Sequence, residues 1–127
     1  MSSALNDKPG KSVIGFSHAF NGLKEAIRTE RNLKLHIAFA ILVIAAGFTV
    51  RLKAAEWAVI MLAIGMVLTT ELVNTVVEKM MDYLNPDTHH SVKIIKDIAA
   101  AAVLIAAVFA AAAGLFIFLP AFYMRLQ

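Results

Sequence analysis

A chain of 127 residues that is 60% hydrophobic, with a mean hydropathy of +0.74, is too apolar for an ordinary soluble domain. Its formal charge of +3 and pI near 9.4 come from lysines and arginines that flank apolar runs, a mark of membrane topology rather than of nucleic-acid binding. It has no cysteine, which excludes disulfides and thiolate chemistry.

Asp7-Lys8-Pro9-Gly10 reads as a flexible start. Residues 11–29 follow helical periodicity. Val13, Phe16, Phe20, Leu23 and Ile27 share one face, while Lys11, Lys24, Glu25 and Arg28 fall largely elsewhere. That pattern predicts an amphipathic helix lying on a membrane surface. A first span is expected over about 33–52. It has no charge from Ile37 to Val50 and ends at Arg51 and Lys53. No cleavable signal peptide is visible, because this run follows a charged segment and lacks a small-residue cleavage site. A second span is expected over about 56–84. Asn85-Pro86-Asp87 marks a turn, and a third span follows over about 91–122, with Pro120 near its end. The expected class is an all-α integral membrane protein with three transmembrane helices and one domain over 1–127. No repeat or low-complexity tract appears.

Topology follows from basic residues. Lys8, Lys11, Lys24, Arg28, Arg31 and Lys34 precede the first span, and Lys79, Lys93 and Lys96 lie at the second connection. The other side has Arg51, Lys53 and Arg125. The positive-inside rule puts the N-terminus and the second connection in the cytoplasm. The third span is rich in alanine (Ala99–Ala102, Ala106, Ala107, Ala110–Ala113). Small residues let helices approach closely in lipid, which favours tight packing or a homo-oligomer with shared sites.

The most informative residues end the second apolar run. Glu71, Asn74, Glu78 and Asp82 share a stripe about 80° wide at ~100° per residue. Only Trp57–Thr70 precedes Glu71 in that run, whereas a crossing needs about 20 residues, so the stripe begins at the membrane edge, where Thr69 and Thr70 also fit. Carboxylates there are costly and seldom accidental. Glu25 and Glu30 from the arm, and Lys93, Lys96 and Asp97 opening the third span, join the same rim. Carboxylates with an asparagine suit Mg²⁺, a lysine suits phosphate, and a metal-free carboxylate suits proton abstraction. Together they point to phosphoryl transfer, where positioning and charge neutralisation dominate.

Simpler readings stand beside these. Glu71 could pair with an interfacial lysine, and Glu78 with Asp82 could be a solvated face. Lys93 and Lys96 could be snorkelling anchors. His89 and His90 are adjacent, which is poor chelating spacing, and His18 and His36 are more often structural than ligating. Trp57 is most simply an interfacial aromatic. Gly10-Lys11-Ser12 imitates the end of a phosphate-binding loop. However, Leu5 stands where the first glycine belongs and no strand precedes it.

The string Glu71-Leu-Val-Asn74-Thr-Val-Val-Glu78-Lys-Met-Met-Asp82 resembles the signature of the small prokaryotic diacylglycerol kinase / undecaprenol kinase family. Lys96-Asp97 followed by Ala-Ala-Ala-Val-Leu resembles its second block. Glu30-Arg31-Asn32-Leu-Lys-Leu-His36 resembles a third, in the undecaprenol kinase version. Phe16-Ser-His-Ala-Phe-Asn-Gly22 resembles the arm motif. The likeness runs from about Phe16 to Leu115 and departs at Phe20, often tryptophan, at Lys11, where arginine can stand, and at Asp87-Thr88-His89-His90, more acidic in some relatives.

The resemblance implies a homotrimer of three-span subunits with active sites shared between neighbours. It implies that Glu71 is the base on the lipid hydroxyl, that Glu30 and Glu78 hold the metal on ATP, and that Asn74 positions substrate and nucleotide. It further implies that Lys96 contacts phosphates and Asp97 the nucleoside, with Lys11, Ser17, His18 and His89 near the nucleotide. The expected protein is a bacterial inner-membrane lipid kinase using Mg-ATP, with its active site on the cytoplasmic side and no nucleic-acid partner. Undecaprenol is the favoured substrate, for supply of the cell-wall lipid carrier, and diacylglycerol the alternative, for phospholipid recycling. A proton-coupled transporter is the rival from another class, but it usually needs four spans and no polar cytoplasmic cluster. A non-catalytic membrane subunit would leave the carboxylates unexplained.

Overall fold

The computed structural model describes residues 11–85 and 89–127, with side chains of the first helix from Gly15 onward. The expected flexible start at Asp7–Gly10, the Pro86-Asp87 part of the turn and the side chain of Lys11 lie outside the described residues.

The described residues form helices α1 (Lys11–Thr29), α2 (Arg31–Val50), α3 (Ala54–Leu84) and α4 (His90–Arg125). The chain is all-helical, and α2, α3 and α4 are each long and apolar enough to cross a membrane. At ~1.5 Å per residue, even α2, the shortest of these, is about 30 Å long. α3 packs chiefly against α4, less against α2, while α1 touches mainly α2.

The ends of these helices have local causes. Glu30 alone separates α1 from α2, in an extended conformation (φ −99°, ψ 114°), yet its N–H still donates to Ala26 O at 2.8 Å. α2 stops at Arg51, which takes the left-handed region with φ 57°. Leu52 N–H then reaches back to Gly47 O at 3.1 Å, closing the helix end. The span expected over about 33–52 is therefore observed two residues earlier at each end, over Arg31–Val50. α3 begins at Ala54, ahead of the expected 56, because the Glu56 carboxylate accepts the Lys53 N–H at 2.8 Å and carries negative charge into the first turn. α4 begins under His89, whose Nδ1 accepts the Ser91 N–H at 3.2 Å. It continues through Pro120 to Arg125, past the expected 122; apolar helices in lipid tolerate the one hydrogen bond that proline removes.

Burial is inverted relative to a soluble fold. The buried apolar residues are Ala26, Leu33, Leu52, Ile60 and Ala106, whereas large side chains such as Phe39, Phe109 and Phe116 are exposed. The buried polar residues are Glu71, Asn74 and Thr75, consecutive along one part of α3. Apolar groups outside and polar groups inside is the arrangement a lipid solvent requires.

Candidate active site at the polar end of α3

The stripe on α3 is graded by depth. Glu71 is 3% exposed and Asn74 5%, Glu78 is half-buried, and Asp82 is exposed. The four do not face one enclosed interior: Asp82 has left it and pairs with Lys96 of α4. A helix running out of a membrane produces this order, because each turn carries the same face ~5.4 Å closer to water.

Within the buried part, Asn74 Nδ2 donates to Glu78 Oε1 at 3.3 Å, one turn further on. Its Oδ1 is buried and has no partner. An unpartnered buried acceptor costs ~1–3 kcal/mol, so a group that brings a donor here is favoured. His36 of α2 approaches Glu71, Nε2 to Oε2, at 3.8 Å. Lys79 Nζ sits 3.0 Å from Glu30 Oε1, tying the α1–α2 joint to α3.

Glu25 and Glu30 are separated by these contacts. Glu25 is fully occupied on α1 by Arg28, at 2.7 Å and 3.1 Å, and those hydrogen bonds hold its carboxyl below its ordinary range. Glu30 instead faces α3. Lys96 and Asp97 of α4 are likewise engaged, Lys96 with Asp82 and Asp97 with Lys93 one turn back. Ser17 and His18 are exposed on α1, and His89 caps α4. Among the described residues no three carboxylates or imidazoles gather closely enough to hold a metal ion by themselves.

Apolar grooves are lined by Asn74 on one side and by His36 on the other. One, of about 360 Å³ between α3 and α4, begins at Thr70 and Asn74 and is walled by Val77, Ile95 and Ile98. The other, of about 530 Å³ between α2, α3 and α4, begins at His36 and runs past Val43 and Ile64 to Phe118. Apolar grooves whose polar lining is Asn74 in one and His36 in the other, both close to the buried Glu71, suit a molecule with a long tail and one polar end.

The sequence reading treated His36 as structural and gave Lys79 no role in the site. The signal for His36 was present: it lies three residues after Leu33, the most deeply buried side chain, so it shares the face of α2 turned inward.

The sequence model of the family described as prokaryotic diacylglycerol kinase matches residues 17–118. The chain is 44% identical over 105 residues to a protein named undecaprenol kinase from Bacillus subtilis (strain 168), covering 83% of this chain and 85% of that one. It is 36% identical over 109 residues to a protein named diacylglycerol kinase from Synechocystis sp. (strain ATCC 27184 / PCC 6803 / Kazusa), covering 85% of this chain and 62% of that longer one.

Proposed function

The chain belongs to the prokaryotic diacylglycerol kinase family and is a multi-pass membrane lipid kinase; from that premise we propose that it moves the γ-phosphate of ATP to undecaprenol at the cytoplasmic face of a bacterial inner membrane. The observation that carries the site assignment is Glu71, a carboxylate 3% exposed and 3.8 Å from His36, which lines an apolar groove. Undecaprenol is favoured by the 44% identity to a protein of that name across most of both chains. Diacylglycerol is the second reading, favoured by the family description and the 36% relative.

In this reading the lipid lays its tail along the apolar faces and brings its hydroxyl to Glu71. Glu71 takes the proton, the oxygen attacks the γ-phosphorus, the bond to the leaving oxygen breaks, and ADP departs. Asn74 holds Glu78 and offers its unpartnered Oδ1 to a donor from substrate or water. Lys96 takes the phosphates once released from Asp82, Asp97 the nucleoside, and Lys11, Ser17, His18 and His89 line the nucleotide's approach.

The donors fit Mg²⁺. Glu30 already binds a cation, the Lys79 ammonium, and the Asn74–Glu78 pair presents oxygen acceptors. Among the described residues no three such side chains gather to hold an ion by themselves, so one held by Glu30 and Glu78 would take its remaining ligands from phosphate and water. Glu30 and Glu78 would hold it, and it would neutralise charge on the transferred phosphate. A homotrimer is supported by the large exposed side chains of α4 and its alanine content, which together offer a neighbour a close apolar face.

The test is phosphate transfer from labelled ATP in mixed micelles, with undecaprenol and diacylglycerol in parallel and Glu71→Gln as control. Label in the lipid that is lost in the control is the expected outcome, and the ratio between lipids decides the substrate. No label in undecaprenol from a folded protein with Mg²⁺ would overturn the substrate assignment.

A further inference from the structure

We propose that His36 is a positioning residue for the transfer, relaying to water the proton that Glu71 removes from the lipid hydroxyl. This rests on the reading of Glu71 as base. Each turnover leaves one proton on Glu71, which is 3% exposed and has almost no direct route to solvent. The next turnover requires that proton to leave.

His36 on α2 is the ionisable side chain that approaches Glu71, and Glu78 on the same helix and Glu30 at the α1–α2 joint are the other carboxylates of the site. Glu78 accepts the Asn74 amide, and Glu30 is paired with Lys79. α4 presents Ala107, Ala110 and Ala111 to the groove that His36 heads, and its Lys96 is turned to Asp82. Among the described residues, His36 is therefore the acceptor near Glu71 that has no other hydrogen bond.

Nε2 lies 3.8 Å from Glu71 Oε2, beyond a direct hydrogen bond but within reach of a small ring rotation or one bridging water. The His36 side chain is 25% exposed against 4% for that of Glu71, so of the two it is the one that can meet a group from outside the helices. Leu33, buried one turn earlier on the same face of α2, fixes the helix that carries it. Imidazole has two nitrogens, so it can receive a proton on one side and release one from the other. The balance is complete: the hydroxyl proton passes to Glu71, then to His36 Nε2, the imidazolium gives a proton from Nδ1 to water, and proton exchange with water returns the ring to its Nδ1–H form for the next turnover. The lipid oxygen gains the phosphoryl group and ADP leaves.

The experiment compares the wild-type chain, Glu71→Gln, His36→Ala and His36→Gln in lipid micelles, with and without added imidazole. Removing a proton carrier is expected to lower kcat about 10- to 100-fold in both His36 variants, with KM for lipid and ATP within about twofold of wild type. Free imidazole should restore much of the loss in His36→Ala, where it has space, and none in His36→Gln or Glu71→Gln. If His36→Ala does not fold, His36→Gln decides by its solvent deuterium isotope effect on kcat, expected to exceed that of the wild type. Wild-type kcat in His36→Gln overturns the relay, as does a slow His36→Ala that imidazole leaves unchanged. In either case an active wild type and an inactive Glu71→Gln leave the kinase reading standing. An inactive wild type removes that reading and the relay with it.

Discussion

The two ends of α3 are built on opposite principles. At the Ala54 end, against the α2–α3 turn, the contacts are of shape: the Trp57 ring lies over Gly47 and beside Phe48, with ring centroids 4.8 Å apart, and Leu52 is buried under the turn. At the Leu84 end the contacts are polar: ion pairs of Glu30 with Lys79 and of Asp82 with Lys96, and Glu71 3.8 Å from His36, around an asparagine oxygen with no partner. A helix can be held in a bilayer by packing alone. Unsatisfied and charged groups at the other end add cost without adding packing, and that cost is retained where it serves chemistry.

If that division is right, changes at the polar end remove activity and spare the fold. Glu71→Gln keeps the shape of the side chain and removes its capacity as a base. Turnover is expected to fall by ~10²–10⁴-fold, with nucleotide binding and the melting transition unchanged. Near-normal transfer in this variant would show that Glu71 is not the base. Glu78→Gln is a smaller change, because the amide can still meet Asn74. Activity at saturating Mg²⁺ is expected to drop about 10- to 100-fold, and the Mg²⁺ concentration for half-activity to rise. An unchanged Mg²⁺ titration would take Glu78 out of the metal site.

The turn end should behave in reverse. A Cβ on Gly47 would sit 2.6 Å from the Trp57 ring and 3.0 Å from Leu52 Cδ1. Gly47→Ala gains helix propensity but forces the ring or the turn to move, for a net loss of about 1–2 kcal/mol. Thermal unfolding in detergent should register that loss, while kcat per folded protein stays at the wild-type value. A Gly47→Ala protein with normal stability and reduced kcat would mean that the two ends are coupled and the comparison fails.

These ends were unequally legible in the sequence. The polar end could be read because a carboxylate in an apolar run has few ordinary explanations, and helical spacing alone puts Glu71, Asn74 and Glu78 on one stripe. What spacing could not show was depth: Asp82 shares the stripe but is exposed, because it lies just over two turns nearer the helix end than Asn74. Nor could it separate Glu30 from Glu25. That difference depends on Arg28 capturing Glu25 and on a single extended residue turning Glu30 toward Lys79. His36 was set aside because a lone histidine carries no spacing signal, and its partner lies on another helix. At the turn end, Trp57 fitted a general rule for interfacial aromatics, and its contact with Gly47 depends on how two helices meet, which one strand of text does not encode.

The smallest effect tests the division most sharply. Glu56 sits in the first turn of α3, accepting the Lys53 N–H and placing a negative charge beside the helix N-terminus. Glu56→Gln keeps a hydrogen-bond acceptor and loses the charge, so the expected cost is about 0.3–1 kcal/mol, less at high salt. Stability measured at low and high ionic strength checks this, since a loss from charge shrinks as salt screens it and a loss from packing does not. kcat should be indistinguishable from wild type. Glu56 lies fifteen residues from Glu71, about 22 Å along α3 at ~1.5 Å per residue, more than two Debye lengths in ordinary buffer. A change in kcat that persists at high salt would therefore have to travel through the helix itself, making α3 a single mechanical element rather than a scaffold with separate structural and chemical ends.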